Sequence, residues 1–186
     1  NFLIELLLST GMMQEAIKET IELAQSYEYL ADLEKMRQTL TEALRLCQEA
    51  KADRSTSVKI LYQIADIDMQ RLDWHQAIRV YEQIRTLQPD DPNARSRLVE
   101  LNFRLVQDKI AISEIETYVT LLENAGKTEK TIPLLESLVK SFPEKIALRK
   151  LLAEVYARCN QVDQAILHLD TVANALLDQK DTQGTI

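Results

Sequence analysis

The sequence predicts an all-α protein, a linear array of amphipathic helices. Three observations carry this. Only three Gly and four Pro occur in 186 residues, too few for the turns a compact β protein needs every ten residues or so. Ala, Leu, Glu, Gln, Lys and Arg dominate, and all are good helix formers. Apolar residues recur three and four apart, and one phrase returns along the chain: WHQAIRVYEQIRTLQP at residues 74–89 and QAILHLDTVANAL at 164–176. Hydrophobic residues at 46% and charged residues at 27% give a normal globular balance rather than a disordered one.

Taken in order, NFLIELLL opens the chain as an apolar helical segment without a basic start or a small-residue cleavage site, so it does not read as a signal peptide. Residues 20–46 then place Leu23-Ala24 and Tyr27 on one helix, Ala31-Asp32-Leu33 at a turn, and Met36, Leu40 and Ala43 on the next helix. In residues 57–89, Leu61, Ile64, Ala65 and Ile67 mark a helical face. Asp73 is placed to cap the following helix. Ala77, Tyr81 and Ile84 form its stripe, and Pro89 ends it. Leu98-Val99, Leu101, Val106 and Ala111 follow Pro92. Tyr118-Val119, Leu121-Leu122, Gly126, Thr131, Leu135, Leu138 and Pro143 repeat the phrase, as do Leu152-Ala153, Val155-Tyr156, Cys159-Asn160, Ala165, Leu169 and Val172. Pro133 reads as a helix-start signal, since first-turn N–H groups have no partner to lose.

Equivalent small positions fall at Ala16, Met36, Ala77, Ala111, Thr131 and Ala165, in steps of 20, 41, 34, 20 and 34. The step of 41 predicts longer helices near 33–50 and 54–71. The steps of 20 are too short for a hairpin. There a single helix, near 12–30 and again near 109–125, is expected to end one repeat and begin the next. About ten helices result. They form repeat units near 12–50, 54–91, 92–125, 112–145 and 146–179 of one array over 1–186.

Ile64-Ala65, Leu72-Asp73-Trp74, Ala77, Tyr81, Ile84 and Pro89 together resemble the tetratricopeptide repeat (TPR), a helix hairpin of about 34 residues. The resemblance spans nearly the whole chain. It implies a right-handed α-α superhelix, a solenoid, whose concave groove takes a peptide or helix of a partner. By register, Lys59, Tyr62, Asp66 and Met69 face that groove in one repeat, Ser96, Glu100, Phe103 and Arg104 in the next, and Lys150, Glu154 and Arg158 in the last. Tyr62, Met69 and Phe103 either hold apolar side chains of the partner or fill the hairpin interior. One subtype of the family clamps a carboxylate terminus with Lys and Asn. Here Tyr62, Asp66, Ser96 and Glu100 stand in those places, so that ligand is not expected. Trp74 reads as the bulky turn residue between two helices.

The net charge is −7, which opposes nonspecific binding to phosphate backbones. Arg95, Arg97 and Arg104 read as a solvated basic face. Cys47 and Cys159 read as reduced, packed thiols, consistent with a cytoplasmic location. His75 and His168 lack the companions a metal site needs, and no phosphate-binding glycine loop occurs. No cofactor, catalytic set, membrane span or nucleic-acid partner is therefore expected. The leading functional reading is a protein–protein interaction scaffold. The second is an oligomerisation or sensor segment of a larger bacterial regulatory or signalling protein, self-associating through apolar ends. The Asn start and the uncapped ends suggest a portion of a longer protein.

Overall fold

A computed structural model describes residues 2–183, with side chains to Leu177. The described residues form ten α-helices and one 3-10 turn, with no strand. They fall into two compact units, Asn1–Pro89 and Asp90–Ile186. The first unit contains α1 (Phe2–Ser9), α2 (Met13–Tyr29), α3 (Leu33–Glu49), α4 (Arg54–Gln70) and α5 (Trp74–Leu87). The second contains α6 (Pro92–Arg104), α7 (Asp108–Asn124), a 3-10 turn (Thr128–Thr131), α8 (Ile132–Ser141), α9 (Ile146–Arg158) and α10 (Val162–Gln183).

One device closes seven of the helices. Each ends on a residue in the left-handed region: Gly11, Ala31, Lys51, Leu72, Val106, Gly126 and Asn160. The N–H of the following residue then bonds five positions back, as in Asp32 to the Tyr27 carbonyl (3.0 Å), Asp73 to Asp68 (2.9 Å) and Gln107 to Asn102 (2.8 Å). This is the double closure that satisfies the last helical carbonyls. The residue after the left-handed one is often already the N-cap of the next helix, as Met12, Asp32, Asp73 and Gln107 are. Asp32 accepts from the Lys35 amide at 3.0 Å and Asp73 from Gln76 at 3.3 Å. The reversal therefore takes almost no chain. It also explains how a protein with three glycines turns so often: Ala, Lys, Leu, Val and Asn take up conformations that elsewhere favour Gly.

Two connections differ. Pro89 and Pro143 force Gln88 and Phe142 out of helical geometry, at φ −133° and −132°. Asp91 then caps α6, accepting from Asn93 and Ala94 at 2.9 and 3.4 Å, and Pro92 occupies its first turn. Pro133 likewise lies in the first turn of α8.

The small positions set the core. Ala16, Ala77, Ala111 and Thr131 are wholly buried, and Met36 and Ala165 nearly so, where close helix approach leaves no room for bulk. In the first unit α3 packs on α2 and α4, and α4 on α5. The Arg37 guanidinium forks onto Asp68 at 2.6 and 3.0 Å, and Arg71 reaches Glu34 at 2.6 Å, so two pairs tie α3 to α4. In the second unit α6 packs on α7, the 3-10 turn sits on α7, and α9 packs on both α8 and α10. Tyr118, Ile115, Leu135, Leu138 and Leu152 lie at the centre of that core.

Candidate functional site

Within each unit the side chains expected in a groove differ in burial and surroundings. In the first unit, Tyr62 and Met69 are half-buried while Lys59 and Asp66 are exposed. Tyr62 meets Tyr81 edge-on at 6.1 Å. Asp66 lines a shallow cleft of about 360 Å³ with Glu28, Gln63 and Gln70. In the second unit, Phe103 is 5% exposed and packs against Phe142, ring centroids 5.0 Å apart, with the Lys145 ammonium 5.2 Å above it. It fills the interior of the α6–α9 core rather than offering a face to a partner. The register allowed both outcomes, and burial of a large ring against Phe142 decides between them.

Several charged candidates are spent locally. Glu100 receives the Ser96 hydroxyl at 3.0 Å and pairs with Arg97 at 3.1 Å. Arg158 pairs with Glu123 at 2.9 Å and lies 3.9 Å from Glu154, which is also 3.9 Å from Lys150. Arg104 is exposed at the end of α6. The expected basic face of Arg95, Arg97 and Arg104 does not form. Arg95 is buried, paired with Glu114 at 2.5 Å and stacked 5.6 Å over Tyr118. A buried guanidinium is tolerated because the Glu114 carboxylate and the Tyr118 ring meet it there.

Ser96 alone among those candidates lines a larger cleft within the second unit. This cleft is about 650 Å³, inside the range of small ligand and peptide sites. One wall is the first half of α6, with Asn93 and Ser96, preceded by Asp90. Tyr118 and Leu122 of α7 form the floor. Pro133, Leu134 and Ser137 of α8 form the opposite wall, and Lys127 and Lys130 stand at its entrance from the 3-10 turn. Local structure explains each placement. The left-handed Gly126 and the bond from Lys127 N–H to the Leu122 carbonyl (2.8 Å) end α7 abruptly, which brings the two lysines beside its last turn. Pro133 starts α8 at once, so Leu134 and Ser137 fall one turn apart on one face. The Tyr118 hydroxyl donates to the Asp90 carbonyl at 3.4 Å, which holds the floor to the α6 wall. Among the described residues, neither Lys127 nor Lys130 forms an ion pair.

Tyr118 and Leu122 are regular members of the repeat stripe and read in the sequence as core. The signal that marks the cleft is the pair of lysines three apart in GKTEK, directly before the apolar run of α8. Among the described residues no three His, Cys, Asp or Glu side chains gather as a metal site would require. Cys47 and Cys159 are both free.

Two family models match the sequence. One, described as tetratricopeptide repeat, covers residues 123–183. The other, described as soluble NSF attachment protein, covers residues 3–132, more than half of the chain. The chain is a tetratricopeptide-repeat protein that belongs, by the longer match, to the soluble NSF attachment protein family. Similar solved structures include MamA residues 41 to the end from Desulfovibrio magneticus RS-1, at 20% identity and a TM-score of 0.44, covering 88% of this chain and 96% of that one. YrrB, described as a TPR protein with an unusual peptide-binding site, is 16% identical with a TM-score of 0.43 over 90% of this chain and 97% of that one. A putative kinesin light chain with TPR-like repeats from Podosopora anserina is 15% identical with a TM-score of 0.43, over 89% of this chain and 96% of that one. A comparison with curated proteins gives no match. Tetratricopeptide-repeat proteins generally mediate contacts between proteins. No helix among the described residues of this one is long and apolar enough to cross a membrane.

Proposed function

We propose that this tetratricopeptide-repeat protein is a non-catalytic scaffold that holds a peptide or short helix of a partner protein in the cleft between α6 and α8. The observation that carries the reading is the cleft itself. It has a floor of Tyr118 and Leu122, a wall of Pro133 and Leu134, and polar groups from Ser96, Asn93 and Ser137 along the rim. An apolar floor with a few convergent polar groups is the usual composition of a recognition site. The test is selection of binders from a displayed random-peptide library, repeated with Ser137→Trp. Ser137 is exposed on α8, so an indole there fills the cleft without disturbing the core. Peptides that bind the natural chain and lose about tenfold or more in affinity to Ser137→Trp support the reading. Peptides that bind both equally place recognition elsewhere.

A second reading, self-assembly, rests on apolar side chains at both ends of the described chain. Phe2 is 79% exposed with Leu3 and Leu6 beside it, and Ile166, Leu167, Leu169, Leu176 and Leu177 are exposed along α10. Sedimentation equilibrium decides it: a monomer at 100 µM, on the order of the concentrations where weak interfaces form, sinks this reading.

A further inference from the structure

We infer that the occupant of the α6–α8 cleft is an acidic segment: one large apolar side chain seated on Tyr118 and Leu122, with carboxylates next to it that meet Lys127 and Lys130. The inference rests on the reading of the cleft as a protein-binding site and adds the chemistry of what it binds.

The charge around the cleft is not even. Lys127 and Lys130 project from the 3-10 turn on one side, and Asp90 is the ionised group on the other. Many basic side chains elsewhere already meet carboxylates: Arg37 with Asp68, Arg71 with Glu34, Arg95 with Glu114, Lys145 with Asp108, and Arg158 with Glu123. Lys127 and Lys130 have no such pair among the described residues. The carboxylate nearest them in sequence, Glu129, does not line this cleft. It lines the adjoining one, which both lysines also border, with Arg158, Cys159 and Asn160. There its charge, after burial, pushes the Cys159 thiol up from its ordinary value. Two ammonium groups thus border an apolar floor with no ion pair of their own among the described residues, and Asp90 is the one carboxylate that lines the cleft with them. A ligand carboxylate placed there gains charge-assisted hydrogen bonds beside a partly dry surface.

The rest of the molecule narrows the occupant. With a net charge of −7, the protein repels an acidic segment at long range. Recognition is therefore short-ranged and depends on the apolar anchor as well as the carboxylates. A purely acidic tail lacks the anchor, and a purely apolar one leaves the lysines unused. A basic segment meets the two lysines unfavourably and has only Asp90 in return. The volume of about 650 Å³ admits a few side chains, so the recognised unit is a short segment and not an extended surface.

The test uses three blocked pentapeptides with phenylalanine at the centre, flanked by glutamates, glutamines or lysines. Each is titrated to millimolar concentration into isotopically labelled protein, and the backbone amides of Tyr118, Leu134 and Ser137 are followed by NMR. The glutamate peptide is expected to bind about 3- to 10-fold tighter than the glutamine peptide, the sum of two exposed ion pairs. In Lys127→Gln/Lys130→Gln that preference shrinks to less than about twofold while the glutamine peptide is unaffected. Equal binding of the glutamate and glutamine peptides, or a preference for lysine, overturns the acidic assignment and leaves the cleft as a binding site. No shift at these amides with any peptide overturns the cleft reading itself, and this inference with it.

Discussion

Arg95 of α6 and Glu114 of α7 are in contact at 2.5 Å with their side chains only 5% and 9% exposed. A buried charge is tolerable only while its partner is present. Glu114→Ala leaves the guanidinium desolvated and is expected to destabilise the second unit by about 3–5 kcal/mol. Replacing both, as Arg95→Met/Glu114→Leu, is expected to recover most of that loss. Urea unfolding followed by circular dichroism measures both. Equal losses in the single and double variants would show that packing, not charge, is what the pair supplies.

His168 of α10 stacks on Tyr156 of α9 at 5.5 Å, and its Nδ1 is buried without a hydrogen-bond partner among the described residues. Burial, helped by the nearby Arg149 charge, lowers the His168 pKa below its ordinary value, against a smaller opposing pull from Glu136. The Tyr156 hydroxyl donates to Glu136 and its pKa is pushed up to about 12 by burial and that carboxylate, so Tyr156 does not titrate near neutrality. The folded state therefore disfavours the imidazolium. As pH falls below about 6.5, the unfolded chain takes up the proton before the folded one does, and stability drops until the folded pKa is passed. Between pH 7.5 and 5.5, roughly the window where histidine titrates, His168→Gln is expected to flatten that decline. Melting temperatures of the two proteins with identical slopes across this window would rule it out.

Val106 sits at φ +60° while 84% exposed. A β-branched residue in the left-handed region is strained by about 1–2 kcal/mol, and the side chain has little packing to lose. Val106→Gly is expected to raise stability by about 0.5–1 kcal/mol once the greater freedom of glycine in the unfolded chain is subtracted. Gly126→Ala is the mirror experiment. An added Cβ there meets nothing within 4 Å, so any loss, expected near 1 kcal/mol, comes from the backbone alone. Chemical denaturation midpoints read both.

Ala77 is wholly buried where α5 packs on α4. Ala77→Leu forces bulk into that contact and is expected to cost about 1–3 kcal/mol, whereas Ala77→Ser is expected to stay within about 1.5 kcal/mol. Thermal melts check the order.

Period and punctuation made the helices legible. Ala16, Ala77 and Ala111 mark close approaches because nothing larger fits, and Pro89 and Pro143 remove N–H donors where the chain must leave a helix. The positions of α3 and α4, and of the single α2 and α7, follow from the spacing of these marks, although α3 and α4, at 17 residues each, are no longer than α2 and α7. The site was not legible in the same way. A 3.6-residue period says that Tyr62, Ser96 and Phe103 share a register but not which side of it meets a neighbour, and a ring such as Phe103 is equally at home in either place. Arg95 looked like surface because its pairing with Glu114 spans 19 positions in sequence. The cleft depends on where α8 lies against α6 and α7, a distance relation that a local pattern does not encode.

At several turns the residue that follows the left-handed one is itself the first cap of the next helix. Such a junction has no slack. One residue added or removed there turns the following helix by about 100° about its axis, which swings its apolar stripe a quarter turn off the core. The junctions at Pro89 and Pro143, with a few non-helical residues each, are where the chain can absorb a change in length. Added length is accordingly expected to be tolerated best at those two junctions and at residues 50–53 between α3 and α4, and least at the tight reversals.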